Sequence, residues 1–364
     1  MDKPTMLGYI QDQPRALREC FSKRNEFVFP IVELFKNNDI RKIYLLGSGT
    51  SYHASLAIKN YFEKYLKVEV EVCIPTIFTN YTHINNNEMY DKKQILVIGI
   101  SQSGTSYSTV NALKRAKASG YSTVALTENL QSMICNEVDV VAHLLCGKEL
   151  IPVETRGYTV TVLTGYLWAV EIAYALNELN EKEHDSIVNQ VTMMLNDFEK
   201  YLGEIDSWYN KNKKELLKLE HGHIIAYGNN YCTALEGVLK MYETFRKPLS
   251  AYELEEMIHG PNMAFEDDTY IFIVASNEVE IERMPLFVNW FKDNEVTEHV
   301  FIFSDKMKEV SSKDLKFKTH IFEDLSPIVY TLCFQMIAAK NCIEVGYDTS
   351  VRRPKRTGFA HKYD

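Results

Sequence analysis

Gly228-Asn229-Asn230-Tyr231-Cys232-Thr233-Ala234-Leu235-Glu236-Gly237-Val238-Leu239-Lys240-Met241-Tyr242-Glu243 repeats the plan of an earlier stretch, Gly47-Ser48-Gly49-Thr50-Ser51-Tyr52-His53, whose helix runs on to Phe62. Each follows an apolar strand, Ile43-Tyr44-Leu45-Leu46 in the first case and Ile224-Ile225-Ala226-Tyr227 in the second. Each then opens an amphipathic helix. Aligning the leading glycines sets Lys59 on Lys240 and Tyr61 on Tyr242, but Phe62 on Glu243. One unit has been duplicated, and the second copy carries a carboxylate where the first has an aromatic ring.

Outward from these turns, hydrophobic periodicity predicts a helical arm over Leu7–Arg24 and a helix over Phe27–Asn37, then strand Lys42–Leu46 and helix Ser51–Tyr65. Strand Val68–Ile74, the apolar run Ile95–Ile100, helix Tyr107–Ser119 and strands Ser122–Leu126 and Val140–Leu145 follow. A long apolar helix, Thr159–Leu179, and a charged amphipathic stretch, Glu181–Lys218, lead to the second copy. There the pattern restarts with strand His223–Tyr227, helix Thr233–Phe245, strand Tyr270–Ala275, helix Met284–Asn294 and strand His299–Phe303. Strands alternating with helices of this length imply right-handed crossovers and parallel sheets. The expected fold is α/β, with two doubly wound, flavodoxin-like domains related by duplication. The expected divisions are an arm at 1–26, a first domain at 27–182, a helical linker at 183–218, a second domain at 219–345 and a tail at 346–364.

The length of 364 residues gives two domains ample core. A net charge of -9 argues against a nucleic-acid surface, although Arg352-Arg353-Pro354-Lys355-Arg356 is locally basic. No signal peptide or membrane-span pattern is visible, so a cytoplasmic protein is expected. The seven cysteines form no CxxC pair and read as reduced core thiols. His221 and His223 flank a strand without an acidic partner motif, so no metal site and no cofactor are expected.

The two copies differ most after their central strands. Ser101-Gln102-Ser103-Gly104-Thr105-Ser106 follows Ile95–Ile100, whereas Ser276-Asn277-Glu278-Val279-Glu280 follows Tyr270–Ala275. Ser101, Ser103, Thr105 and Ser106 surround a glycine at a strand-to-helix turn, where N–H groups, hydroxyls and the helix dipole suit a phosphate. Glu278 and Glu280 would repel one, so a single phosphate site per chain is expected, in the first copy. With Gly49-Thr50-Ser51, two such turns suit the two ends of a small phosphorylated ligand.

These residues carry a resemblance. Gly47-Ser48-Gly49-Thr50-Ser51, Ser101-Gln102-Ser103-Gly104, the run from Ala234 through Lys240 to Glu243, and His259-Gly260-Pro261 resemble the sugar isomerase (SIS) domains of glucosamine-6-phosphate synthase, in order over nearly the whole chain. The resemblance implies that the Gly-Thr-Ser and Ser-Gln-Ser-Gly turns hold the sugar phosphate. It also implies that Glu243 moves protons between C1 and C2, and that His259 assists ring opening. It further implies a homodimer with sites at the subunit interface and His259 supplied by either subunit.

Three departures bear on the reaction. This sequence begins Met1-Asp2 and enters the arm at once, so no glutamine-hydrolysing domain is expected. The synthase's Ser-Thr-Lys-Ala segment reads here as Glu154-Thr155-Arg156-Gly157, which brings a carboxylate and a guanidinium towards the sugar and suits a ligand bearing an ammonium. The end of the chain, Arg353 through Lys362 to Asp364, looks more like stand-alone fructosamine 6-phosphate deglycases, with Lys362 matching their site-closing lysine.

Cleaving a C1-amino ketose phosphate requires ring opening, removal of a proton beside the carbonyl and its return to the neighbouring carbon. Glu243 suits the shuttle if it is partly desolvated, and the histidine pKa suits ring opening. Glu236 and Lys240 share a helix face and suit an ion pair, or Lys240 orients Glu243 from three residues away. The leading expectation is a cofactor-free deglycase or deaminase of fructosamine or glucoselysine type 6-phosphates. A plain aldose-ketose phosphate isomerase would use the same glutamate, and a non-catalytic sugar-phosphate sensor would need neither Glu243 nor His259.

Overall fold

The computed structural model describes residues 4–276, 278–308 and 311–351. The chain forms two compact units. The N-terminal unit comprises Asp12–Leu150 and Glu154–Thr192, and the C-terminal unit comprises Met193–Val351 with residues 4–11 and Ile151–Val153.

Strands β1 (Lys42–Leu46), β2 (Glu69–Cys73), β3 (Ile95–Ile100), β4 (Ser122–Thr127) and β5 (Val140–His143) make the N-terminal sheet, in the order β2-β1-β3-β4-β5. Every pairing is parallel, with Leu46 opposite Gly99. Strand β3, Ile-Leu-Val-Ile-Gly-Ile, is buried throughout, as a central parallel strand covered on both faces must be. The C-terminal unit repeats the plan with β6 (Gly222–Ala226), β7 (Leu249–Glu253), β8 (Tyr270–Val274), β9 (Val300–Ser304) and β10 (Leu315–Lys316), in the order β10-β9-β8-β6-β7. Counted from its own first strand this is the same 2-1-3-4-5 order, so the duplicated, doubly wound α/β reading holds.

Helices α1 (Met6–Ser22), α2 (Asn25–Asn37), α3 (Thr50–Leu66), α4 (Pro75–Asn80), α5 (Tyr107–Ala118) and α6 (Arg156–Ala175) precede the 36-residue α7 (Glu181–Leu216). Beyond it lie α8 (Tyr231–Glu243), α9 (Leu254–Met257), α10 (Glu278–Ile281), α11 (Met284–Asp293) and α12 (Ser326–Glu344). Helices α6 and α12 are buried almost all round, which their near-continuous apolar sequences permit. In the N-terminal unit α3 packs on α6, with Tyr61 edge-on to Tyr166 at 5.1 Å, and the Trp168 indole N–H donates to the Phe27 carbonyl at 3.0 Å.

Helix α6 starts at Arg156, three residues before the position that apolar periodicity gives, for a reason found in its cap below. The short helix α4 and the edge strands β7 and β10 carry no periodic signal of their own. Among the described residues no helix is long and apolar enough to cross a membrane. The basic run from Arg352 and the tail lysine Lys362 lie outside the described residues.

Candidate functional site

In the N-terminal sheet the strand order reverses at β1 and β3, which are neighbours while β2 and β4 flank them. Ligands of doubly wound sheets bind outside the carboxyl ends of such a strand pair. Both sequence-predicted turns are there. Gly49 ends the turn after β1 with φ 56° and ψ −127°, a conformation that favours glycine, and α3 begins at once with the buried Thr50 and Ser51. The helix start therefore faces the strand ends, and the Ser55 hydroxyl secures the first turn by donating to the Ser51 carbonyl at 2.7 Å.

The turn after β3 is tied internally. The Gly104 N–H donates to the Ser101 hydroxyl at 3.2 Å and to its carbonyl at 3.0 Å, and the Thr105 N–H donates to the Ser103 hydroxyl at 3.3 Å. The Ser103 and Thr105 hydroxyls share a bond of 3.0 Å and are exposed, whereas Ser101 is buried. Gly104 has φ 66°, and a Cβ there would lie 1.9 Å from the Ser132 hydroxyl oxygen. Ser106, at the N-cap of α5, accepts from Thr109 at 3.1 Å and caps no N–H of its helix. Exposed hydroxyls and an uncapped helix start form a cradle suited to an anion.

Gln102 has partners of its own. Its side-chain amide donates to the Glu149 carboxylate at 3.1 Å, and its backbone carbonyl accepts from the Glu128 N–H at 3.0 Å and the Thr127 hydroxyl at 3.2 Å. A Cβ on Gly157 would come within 2.3 Å of the Gln102 Oε1 and 2.8 Å of the Glu154 Oε1, so the structure brings Gln102, Glu154 and Gly157 together. Glu149 does not stand out in the sequence. Its signal is a carboxylate a few residues ahead of a helix whose N-cap, Thr155, does not cap with its own side chain.

Arg156, expected to touch the ligand, is buried at the start of α6. Its buried guanidinium pairs with Asp12 and donates to the Lys148 carbonyl at 2.9 Å, which commits it to anchoring α1 and the 147–149 loop. A long cation at the first turn of a buried helix needs such a partner, and the arm supplies one. The Arg15 guanidinium and, after it, that of Arg156 hold the Asp12 carboxyl below its ordinary value.

The second group of predicted residues lies in the C-terminal unit. Lys240 and Glu236 are fully buried, with Nζ 3.2 Å from Glu236 Oε1, and the same ammonium donates to Glu243 Oε2 at 2.7 Å. The three- and four-residue spacings thus yield a carboxylate–ammonium–carboxylate row along α8. Glu243 ends α8 and keeps a third of its side chain exposed. A carboxylate at a helix end can meet a ligand that a mid-helix residue could not. His259 follows α9 in a turn ahead of Gly260 and Pro261; its ring is exposed, 3.6 Å from Glu255, whose carboxyl is held low chiefly by Arg283.

At the reversal of the C-terminal sheet no comparable cradle forms among the described residues. Asn230, aligned with Gly49, donates to the Ser276 hydroxyl at 2.6 Å and the Ser326 hydroxyl at 2.8 Å, and accepts from Thr233 at 3.0 Å. The turn holds itself. Among the described residues no group of His, Cys, Asp and Glu is arranged to hold a metal ion.

Residues 38–171 match the SIS domain model, and the second unit has the same strand order as the first. Along nearly its whole length the chain is similar to glutamine–fructose-6-phosphate aminotransferases. It is 29% identical over 279 residues to the isomerizing enzyme of that name from Clostridium tetani, covering 75% of this chain and 45% of that one. It is 26% identical over 358 residues to the one from Caldanaerobacter subterraneus, covering 96% and 57%. The chain thus spans about half the length of these curated relatives. A solved Clostridium difficile structure described as a "putative phosphosugar isomerase" superimposes with a TM-score of 0.85 at 28% identity, covering 97% of both chains. The C-terminal domain of a glucosamine-fructose-6-phosphate aminotransferase from Francisella tularensis shares the fold, at 22% identity and a TM-score of 0.84.

Proposed function

We propose that this protein cleaves a C1-amino ketose 6-phosphate, of fructosamine or glucoselysine type, to the aldose 6-phosphate and a free amine. The observation that carries this reading is the row on α8, a buried lysine with one carboxylate behind it and a partly exposed one, Glu243, before it. Glu154, gathered with Gln102 and Gly157, supports the amine, because a carboxylate favours a substituent that is protonated at neutral pH.

In the proposed sequence the turns at Gly49-Thr50-Ser51 and Ser101–Ser106 hold the phosphate, and His259 assists ring opening. Glu243 takes a proton from C1 while the C2 carbonyl oxygen takes one from the substrate ammonium to become an enol hydroxyl, and Glu243 then returns its proton to C2. The C1–N bond is then an imine. Water adds to C1, the C–N bond breaks, and the nitrogen leaves with its electron pair as the amine. Lys240 orients Glu243 and balances both carboxylates, while Glu236 fixes Lys240. By the resemblance to glucosamine-6-phosphate synthase the protein works as a homodimer, which light scattering would test.

Incubation with fructoselysine 6-phosphate and, separately, fructose 6-phosphate decides the reaction. Free amine and glucose 6-phosphate from the first are expected, and turnover in a Glu243→Gln variant should fall by roughly 10²–10⁴. Absence of amine from any aminated substrate, alongside interconversion of fructose 6-phosphate, would establish the isomerase reading that the Clostridium difficile relative favours. Full turnover by Glu243→Gln would remove Glu243 as the proton shuttle.

A further inference from the structure

The Glu149 carboxylate accepts hydrogen bonds from four donor groups. The N–H of Thr155 reaches it at 3.1 and 3.2 Å, that of Arg156 at 3.2 Å, that of Gly157 at 3.1 Å, and the Gln102 side-chain amide at 3.1 Å. Three of these donors are the N–H groups that a helix start leaves without intrahelical partners, and here they belong to the 20-residue α6. Thr155 makes no side-chain cap, so Glu149 is the cap, supplied from the preceding loop with a charge that suits the positive end of the helix. This is why α6 can begin at Arg156, ahead of its apolar repeat.

The fourth donor links that helix start to the turn after β3. A carboxylate that only accepts requires Gln102 to present its NH₂ group, which turns Oε1 the other way, to the Gly157 face where Glu154 also lies. The absence of a side chain at Gly157 leaves room for both oxygens.

We infer that Glu149 is a positioning residue: by capping α6 and holding the Gln102 amide, it locks the 101–106 turn and the Glu154-bearing segment into one arrangement. It is not assigned to touch the substrate. Because its carboxylate takes up the N–H groups at the start of α6, it also keeps that helix end from competing for the ligand phosphate. This role rests on the reading of the 101–106 turn as a phosphosugar site.

The test is a double-mutant cycle on the full chain, with glucose 6-phosphate affinity measured by calorimetry. Glu149→Gln and Gln102→Ala should each weaken binding roughly ten-fold, and the double variant should be no weaker than either single one, because both remove the same constraint. Hydrogen exchange at the Ser103–Thr105 amides should quicken in Glu149→Gln and stay unchanged in β6 and β8. Effects that multiply to roughly a hundred-fold in the double variant, or wild-type affinity in Glu149→Gln, would overturn the role of Glu149 alone. Failure of the wild-type protein to bind any sugar phosphate would overturn the site reading and this role with it. Should Glu149→Gln not fold, Glu149→Asp, which keeps the charge on a shorter arm, takes its place in the cycle, and non-additive losses again support the role while multiplying losses overturn it.

Discussion

The helix after the first strand of each unit starts from the same sequence plan and ends in opposite surroundings. In α3, Lys59 is 37% exposed and lies 3.5 Å from Glu63 in an ordinary surface pair, while Tyr61 and Phe62 are buried. In α8 the aligned Lys240 has no exposure, Tyr242 is 50% exposed and Glu243 partly so. The buried face has turned from aromatic to ionic. A buried lysine and glutamate are a poor way to gain stability, since desolvating two charges offsets most of their attraction. The copy that bears that cost is the copy expected to do chemistry, and the copy that keeps its aromatic face has the hydroxyl-lined turns.

The pair of lysines gives the sharpest way to break this comparison. Lys240→Met leaves Glu236 as an uncompensated buried charge, with an expected loss of about 3–5 kcal/mol, together with loss of turnover. Lys59→Met, at the aligned position, should unfold at the same denaturant concentration as the wild type, as exposed pairs contribute little. Urea titrations of the two variants would decide it. Equal midpoints would mean that the burial difference carries no energetic weight and that the division of labour is misread.

The turns at the two sheet reversals give the next test. Gly104→Ala forces a side chain against Ser132 at a positive φ, so sugar-phosphate affinity should fall by at least roughly ten-fold. Asn230→Ala removes buried bonds to Ser276, Ser326 and Thr233 and should lower stability by about 1–3 kcal/mol with affinity retained. Calorimetric titration and urea melts of both would separate a turn that binds from a turn that holds itself. If Asn230→Ala lost affinity as Gly104→Ala did, the C-terminal turn would belong to the ligand site.

The duplication and the strand order were legible because each central strand is a bounded apolar run followed by a glycine or serine turn. Strands β1 and β3 even keep their expected ends. The spacing of Glu236, Lys240 and Glu243 was legible too, since three and four residues on a helix dictate proximity. What the sequence withheld were facts of environment. Nothing local distinguishes the fate of Lys240 from that of Lys59, because burial is set by the partner helix. The pairing of Arg156 with Asp12 is one of these, because Asp12 lies far away in the chain. Glu149 went unread for a related reason: it caps a helix from a loop, where no periodicity marks it.

The smallest effect tests whether the ionic character of the C-terminal unit extends into its strands. By the same alignment His223 of β6 falls on Lys42 of β1. Lys42 stands opposite Glu69 with its Nζ 3.5 Å from that carboxylate, whereas His223 stands opposite Ser250 and packs against Phe265 at 4.8 Å. Burial, helped by His221, depresses the His223 pKa from 6.5 to about 4. The unfolded chain therefore binds a proton near pH 6.5 that the folded chain refuses until about pH 4. Stability attributable to His223 is complete above pH 6.5 and drains away as the pH falls towards 4. His223→Phe keeps the ring and removes the titration, so between about pH 7.5 and 4.5 its melting temperature should fall by roughly 2–4 °C less than that of the wild type. Parallel melting curves for the two proteins across that range would show that His223 is charged in the folded state, and would place it with Lys42 rather than against it.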